Sequence, residues 1–104
     1  MENNRLFQLL QSTGIPTAHN VFLKAQRTPY LLYRDDETDI IAANSRVVLK
    51  KRKITLELYA AATAIGHAET AVEAVLDTFT TYSKARAFDD ARQLYVTYYQ
   101  FYLI

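Results

Sequence analysis

The sequence predicts an α+β fold, an antiparallel sheet of about five or six strands with a long β-hairpin and two helices packed on one face. Three observations carry that prediction. Ile54-Thr55-Leu56-Glu57-Leu58-Tyr59 alternates apolar and polar, as a strand with one buried face does, and the run from Arg92 to Ile104 reads as a strand rich in aromatics. Asn4–Thr13 and the segment from His67 onward carry apolar residues at helical spacing. With 104 residues, two glycines and two prolines, the chain forms one domain, residues 1–104, around a single core.

In chain order, Asn4–Thr13 places Leu6, Phe7, Leu9 and Leu10 on one side, with Asn3 or Asn4 as cap and Gly14 as terminator. Val21–Ala25 is a candidate first strand and Tyr30–Arg34 a second, with Pro29 tolerated at a strand start. After the alanine-rich piece Ala60–Gly66, a helix presents Ala68, Ala71, Val72, Val75, Leu76, Phe79 and Tyr82 on one face and Glu69, Glu73 and Asp77 on another. Lys84–Phe88 reads as a short strand and Asp89, Asp90 and Ala91 as a turn. In the last strand Leu94, Val96, Tyr98, Tyr102 and Ile104 face one way, and Tyr95, Thr97, Tyr99, Phe101 and Leu103 the other.

The hairpin is the central expectation. Arg46–Tyr59, fully extended, would run roughly 46 Å, whereas a compact domain of this length has a radius of gyration near about 13 Å. One end of it therefore projects. Folding the chain at Ala43, Asn44 and Ser45 sets Ile41 opposite Val47, Asp36 opposite Arg52 and Asp35 opposite Lys53, and further in Leu32 opposite Leu56 and Tyr30 opposite Leu58. Val47, Val48 and Leu49 on the projecting arm, with Tyr95, Tyr99 and Phe101 on the last strand, are candidate subunit-interface residues. Two helices cover one face of such a sheet, so a loop, the hairpin or a neighbouring subunit covers the other.

Composition narrows the function. Net charge is +1, so no overall field favours nucleic acid or an acidic membrane. There is no cysteine, no apolar run of about 20 residues, and no signal-peptide pattern at Met1, Glu2, Asn3 and Asn4, which together suggest a soluble cytoplasmic protein. His19 and His67 stand at no metal-ligand spacing, the serines in no nucleophile elbow, and Gly14 and Gly66 build no phosphate cradle. Neither an enzyme nor a cofactor is expected. Lys50, Lys51, Arg52 and Lys53 form a basic run that offers a charged contact. It carries no interleaved aromatics and the hairpin sets acids nearby, so a charge-paired ribbon is favoured over a specific nucleic-acid site.

Taken together, the run Tyr30–Tyr33, the acidic turn, the stretch Asp39–Lys51, the strand Ile54–Tyr59, the Val72–Leu76 helix and the strand from Leu94 resemble the small prophage-encoded tail-completion, or tail-terminator, proteins of long-tailed bacteriophages. The resemblance covers roughly Leu6 to Ile104 and departs in Ala60–Gly66. It implies an α+β structural protein that closes into a homo-oligomeric ring, commonly of six copies, at the end of the tail tube. There it would stop tube polymerisation and offer a head–tail joining surface. The implied partners are further copies of itself, the tail-tube protein and a head-connector protein, with no membrane. The implied locations are the host cytoplasm during virion assembly and then the neck or tail. A head-closure or adaptor protein of the neck is the neighbouring alternative, and a small nucleic-acid-binding module using Lys50–Lys53 a more distant one.

Overall fold

The computed structural model describes residues 3–22, 24, 26–43 and 46–103; for residues 3, 37, 39–43 and 46–49 it describes the backbone alone. Among the described residues the elements are α1 (Asn3–Gln11), β1 (Thr17–His19), β2 (Tyr30–Ala43), β3 (Arg46–Ala60), α2 (Ile65–Leu76), β4 (Ser83–Asp89) and β5 (Leu94–Leu103). The strands form one mixed sheet in the order β1-β2-β3-β5-β4. The fold is α+β, with the helices on one face.

Helix α1 buries Leu6 and Leu10 completely, one turn apart on one face. It stops where Gly14 takes φ +80° and donates its N–H to the Gln11 carbonyl at 3.0 Å. The Thr13 hydroxyl then donates to the Leu10 carbonyl at 2.7 Å and accepts from the Ile15 N–H at 3.1 Å, fixing the exit of the chain. Helix α2 buries Ile65, Ala68, Glu69, Val72 and Leu76. Glu69, expected on the polar face, lies in this stripe because β4 and β5 bring partners to its charge.

Alternation of side chains sorts the sheet into two faces. Two rows run under the helices. One joins Leu31, Leu58, Thr97 and Arg86; the next joins Tyr33, Leu56, Tyr99 and Lys84. Ile54 beside Phe101 continues them. Leu31, Ile54, Leu56, Leu58 and Tyr99 are fully buried, forming one core with Leu6, Leu10, Val72 and Leu76.

Three sequence expectations need correction. The first strand is Thr17–His19, not Val21–Ala25: Val21 is 64% exposed, and Leu23 and Ala25 lie outside the described residues. Strand β1 pairs parallel to β2, so the sheet is not antiparallel throughout. The hairpin register is also shifted. Tyr33 lies opposite Leu56 and Leu31 opposite Leu58, in place of Leu32 and Tyr30. Tyr30-Leu31-Leu32-Tyr33 is apolar without a period, so it does not by itself choose a face. At the far end Ala42, not Ile41, meets Val47, and Ala43 meets Arg46; residues 44 and 45 lie outside the described residues.

The acidic and basic stretches do face each other. Glu37 lies opposite Lys53, Thr38 opposite Arg52 and Asp39 opposite Lys51, with a bulge at Asp36 absorbing the shift. The β5 ladder on β3 ends at Arg52, and the β1 ladder on β2 ends at Tyr33. Beyond these points the hairpin continues as a two-stranded ribbon. The molecule accordingly measures 52 × 26 × 26 Å, with a radius of gyration of 14.9 Å.

Candidate functional site

The helix-free face of the sheet is organised in rows of its own. The first joins Tyr30, Tyr59, Val96 and Ala87, the second Leu32, Glu57, Tyr98 and Ala85, and the third Arg34, Thr55, Gln100 and Ser83. Lys53 beside Tyr102 closes the series where the ribbon begins. The first row is aromatic. Tyr30 stacks on Tyr59 at 4.8 Å between ring centres, Phe22 meets Tyr30 edge-on at 5.6 Å, and the Arg92 guanidinium lies 5.8 Å from the Tyr59 ring centre. Arg92 also donates to the Tyr30 hydroxyl at 3.3 Å. Burial, aided by Glu57 and the neighbouring tyrosines and opposed by Arg92, pushes the Tyr59 phenol up to about 12.

The third row is polar and internally bonded. Thr55, 2% exposed, donates its hydroxyl to Asp36 and accepts from the Gln100 amide at 3.3 Å. Arg34 donates to Asp36 at 2.9 Å and to Glu57 at 3.4 Å. Burial would raise the Asp36 carboxyl, but the bonds from Thr55 and Arg34 outweigh it and hold the group below its usual range.

Strand alternation divides the basic run. Lys51 and Lys53 belong to the helix-free face, and the Lys51 ammonium lies 4.9 Å from the Tyr102 ring centre. Arg52 belongs to the other face, 4.0 Å from Asp35, which is itself 3.9 Å from the His19 imidazole. His19 stacks on Tyr33 at 4.7 Å. Lys50 is exposed. Below Lys51 and Lys53 a cleft of about 500 Å³ opens between β3, β5 and the segment Thr80–Ser83.

The candidate interface residues separate into three groups. The side chains of Val47, Val48 and Leu49 lie outside the described residues, though the backbone places Val47 and Leu49 on the ribbon. Tyr95 is half-buried on the helix side, edge-on to Phe88 at 5.0 Å and with the Arg86 guanidinium 5.7 Å from its ring centre. Tyr99 and Phe101 are 0% and 2% exposed within one protomer, so they cannot offer a surface to another. They do share one strand face, but that face is the one covered by α2 and the segment that follows it: Glu73 of α2 accepts from the Tyr99 hydroxyl, and beyond the helix Phe79 packs edge-on to Phe101 at 6.0 Å and Tyr82 on Tyr99 at 5.5 Å. Among the described strand residues, the aromatics on the helix-free face are Tyr30, Tyr59, Tyr98 and Tyr102, with Phe22 packed on Tyr30, while Phe88 on β4 is 45% exposed.

One buried polar cluster escapes the sequence reading. Glu69, 4% exposed, accepts from the Thr97 hydroxyl at 2.6 Å, from Arg86 Nε at 3.0 Å, and from Lys84 at 3.3 Å. Burial opposes its charge, but Arg86, Thr97 and Lys84 together hold the carboxyl below its ordinary value. Glu73 accepts from Lys84 and from the Tyr99 hydroxyl, each at 2.9 Å. The signal available in the sequence is the i, i+3 spacing of Glu69 from Val72 within an otherwise apolar stripe.

No family model, no curated protein and no solved structure matches the chain.

Proposed function

We propose that the chain is a non-catalytic assembly protein of long-tailed bacteriophages, one that closes into a ring on the tail tube and provides the head–tail joining surface. The observation that supports it is the β2–β3 ribbon, which continues past the last rungs of β1 and β5 and gives the molecule its 52 Å length. A ring needs a heterologous contact, a projection on one side of the protomer and a receiving surface on the other. The ribbon supplies the projection. In place of Tyr99 and Phe101, the receiving surface is the helix-free face around Tyr59 and Tyr98.

On this reading the partners are further copies of the chain, the tail-tube protein and a head connector, met in the host cytoplasm during assembly and retained in the virion neck. Sedimentation and electron microscopy with tail-tube subunits test it. The parent caps tubes and fixes their length, whereas Val48→Asp on the ribbon and Tyr98→Asp on the open face stay folded and fail to assemble. Assembly of both variants at parental efficiency would refute this interface. Tubes of uncontrolled length in the presence of the parent protein would refute the terminator role and favour a neck adaptor.

A further inference from the structure

Strand β4 forms an outer edge of the sheet, and that edge is unguarded. Among the described residues β4 pairs only with β5, so alternate N–H and C=O groups along its other side point outward. The opposite edge, β1, is three residues long; β4 has seven, with no proline and no register shift against β5. Ser83 to Phe88 are all exposed. Two cations on such a strand would ordinarily shield it, but these lean the other way. Lys84 donates to Glu73 at 2.9 Å and lies 3.3 Å from Glu69, and Arg86 Nε donates to Glu69 at 3.0 Å. The same two acids accept from Tyr99 and Thr97, so they stand over β5 and draw both cations inward from the edge. On the helix-free face Ser83, Ala85 and Ala87 are too small to cover the main chain.

We propose that β4 pairs antiparallel with β4 of a second copy, joining two sheets edge to edge about a two-fold axis. Main-chain hydrogen bonds hold such a contact, and side chains choose its register. The axis stands perpendicular to the sheet, so residues of the same face come opposite each other. Centring the pair on Arg86 sets two guanidinium groups together, and centring it on Ala85 sets Lys84 against Arg86. Like charges directly opposed are unfavourable. Centring on Ala87 avoids both. Two methyl groups then meet at the axis, Ala85 faces Asp89, and past the strand end Lys84 faces Asp90, a pair of unlike charge. Arg86 faces Phe88, the one large apolar side chain on β4, which is 45% exposed in the single protomer. The Arg86 guanidinium already lies 5.7 Å from the Tyr95 ring centre, so Phe88 of the second copy gives it a second aromatic neighbour. The strand is in this register complementary to itself. Pairing in the plane of the sheet covers neither the ribbon nor the face around Tyr59 and Tyr98, so it does not depend on ring closure.

The chain has no cysteine, so single cysteines report the axis directly. An isologous contact brings a residue on the axis against its own copy, which the heterologous contacts of a ring do not. Under mild oxidation Ala87→Cys should give a covalent dimer, since directly opposed Cβ atoms stand about 4.5–5.5 Å apart, close to disulfide reach. Ala85→Cys, on the same face of the same strand, lies roughly 13 Å from its copy along the strand direction and should stay monomeric. Failure of Ala87→Cys to cross-link overturns the proposal, and so does cross-linking at Ala85 as readily as at Ala87.

Amide hydrogen exchange tests the same contact on the parent protein, without a substitution. The β4 amides turned away from β5 should exchange freely in dilute solution and gain protection as concentration rises. If they remain unprotected up to about 1 mM, the pairing is refuted, whichever partner the edge meets elsewhere. Sedimentation of Val48→Asp, altered on the ribbon, should still show monomer and dimer. Ala87→Lys, which opposes like charges on the axis, should weaken that dimer about fivefold or more. Loss of the dimer in Val48→Asp would assign the contact to the ribbon and overturn its placement on β4. Whether the protein caps tubes has no bearing on the cross-linking or exchange results.

Discussion

Replacing Glu69 with leucine separates the two halves of the polar cluster under α2. The side chains are of similar size, so the change leaves little cavity and acts through its hydrogen bonds. Thr97 is 0% exposed and gives its hydroxyl to Glu69 at 2.6 Å. In Glu69→Leu that hydroxyl is buried without its acceptor, which costs about 1–3 kcal/mol. The side chains of Lys84 and Arg86 are 37% and 42% exposed, so they rehydrate and add little. Thr97→Val alone takes one donor from a buried carboxylate and costs a similar ~1–3 kcal/mol.

The double variant removes both partners at once and should cost less than the sum of the singles by at least ~1 kcal/mol. Urea unfolding at neutral pH measures all four corners of the cycle, and each kcal/mol corresponds to about 4–8 °C in thermal midpoint. The pH dependence has a definite sign. The Glu69 carboxyl is held below its ordinary value of 4.5, so its contribution is complete above that pH and fades as pH falls through the lower folded-state value. The gap between parent and Glu69→Leu should therefore narrow in acid. A cost for Glu69→Leu below about 0.5 kcal/mol, or strict additivity in the cycle, would refute a coupled buried pair.

Other outcomes follow from burial and backbone geometry. Leu56→Ala, at a fully buried site in the core, should cost about 2–5 kcal/mol in urea unfolding. Phe101→Asp should abolish the cooperative transition seen by circular dichroism, since it places an unpaired charge in the core at a 2% exposed position. Tyr102→Asp, next along the strand but 43% exposed, should stay within about 0.5 kcal/mol of the parent. Gly14→Ala should lose about 1–2 kcal/mol although no atom lies within 4 Å of the added methyl group, because φ +80° is unfavourable to any side chain.

Much of the fold is legible in the residues because several segments carry an unambiguous period. The alternation in Ile54–Tyr59 sets the buried face of β3, which presents Ile54, Leu56 and Leu58, all 0% exposed. The spacing of Ala68, Val72 and Leu76 likewise sets the buried stripe of α2. Where the period fails, so does the reading. Tyr30–Tyr33 offers four large residues in a row, and only its neighbours in space decide that Leu31 and Tyr33 turn inward. Strand β1 is three residues long, too short for alternation to register. The inward choice between the two aromatic faces of β5 depends on which one α2 crosses, a fact of tertiary packing. Glu69 is misplaced for the same reason: its partners Thr97, Arg86 and Lys84 come from β4 and β5, and nothing local to α2 announces them.

At Asp36 the hairpin holds one residue more than its ladder requires: Asp35 pairs with Ile54 and Glu37 with Lys53, adjacent positions on β3. On the core side of that point the odd-numbered positions of β2 share the face of the helices; beyond it they share the opposite one. The inserted residue thus acts as a phase shifter between two stretches of a single strand. The core dictates the parity of residues 30–35, but it has no say over that of residues 37–41. The outer ribbon is free to evolve its own inside and outside, and a sequence change there need not be compensated in the core to which it is covalently joined.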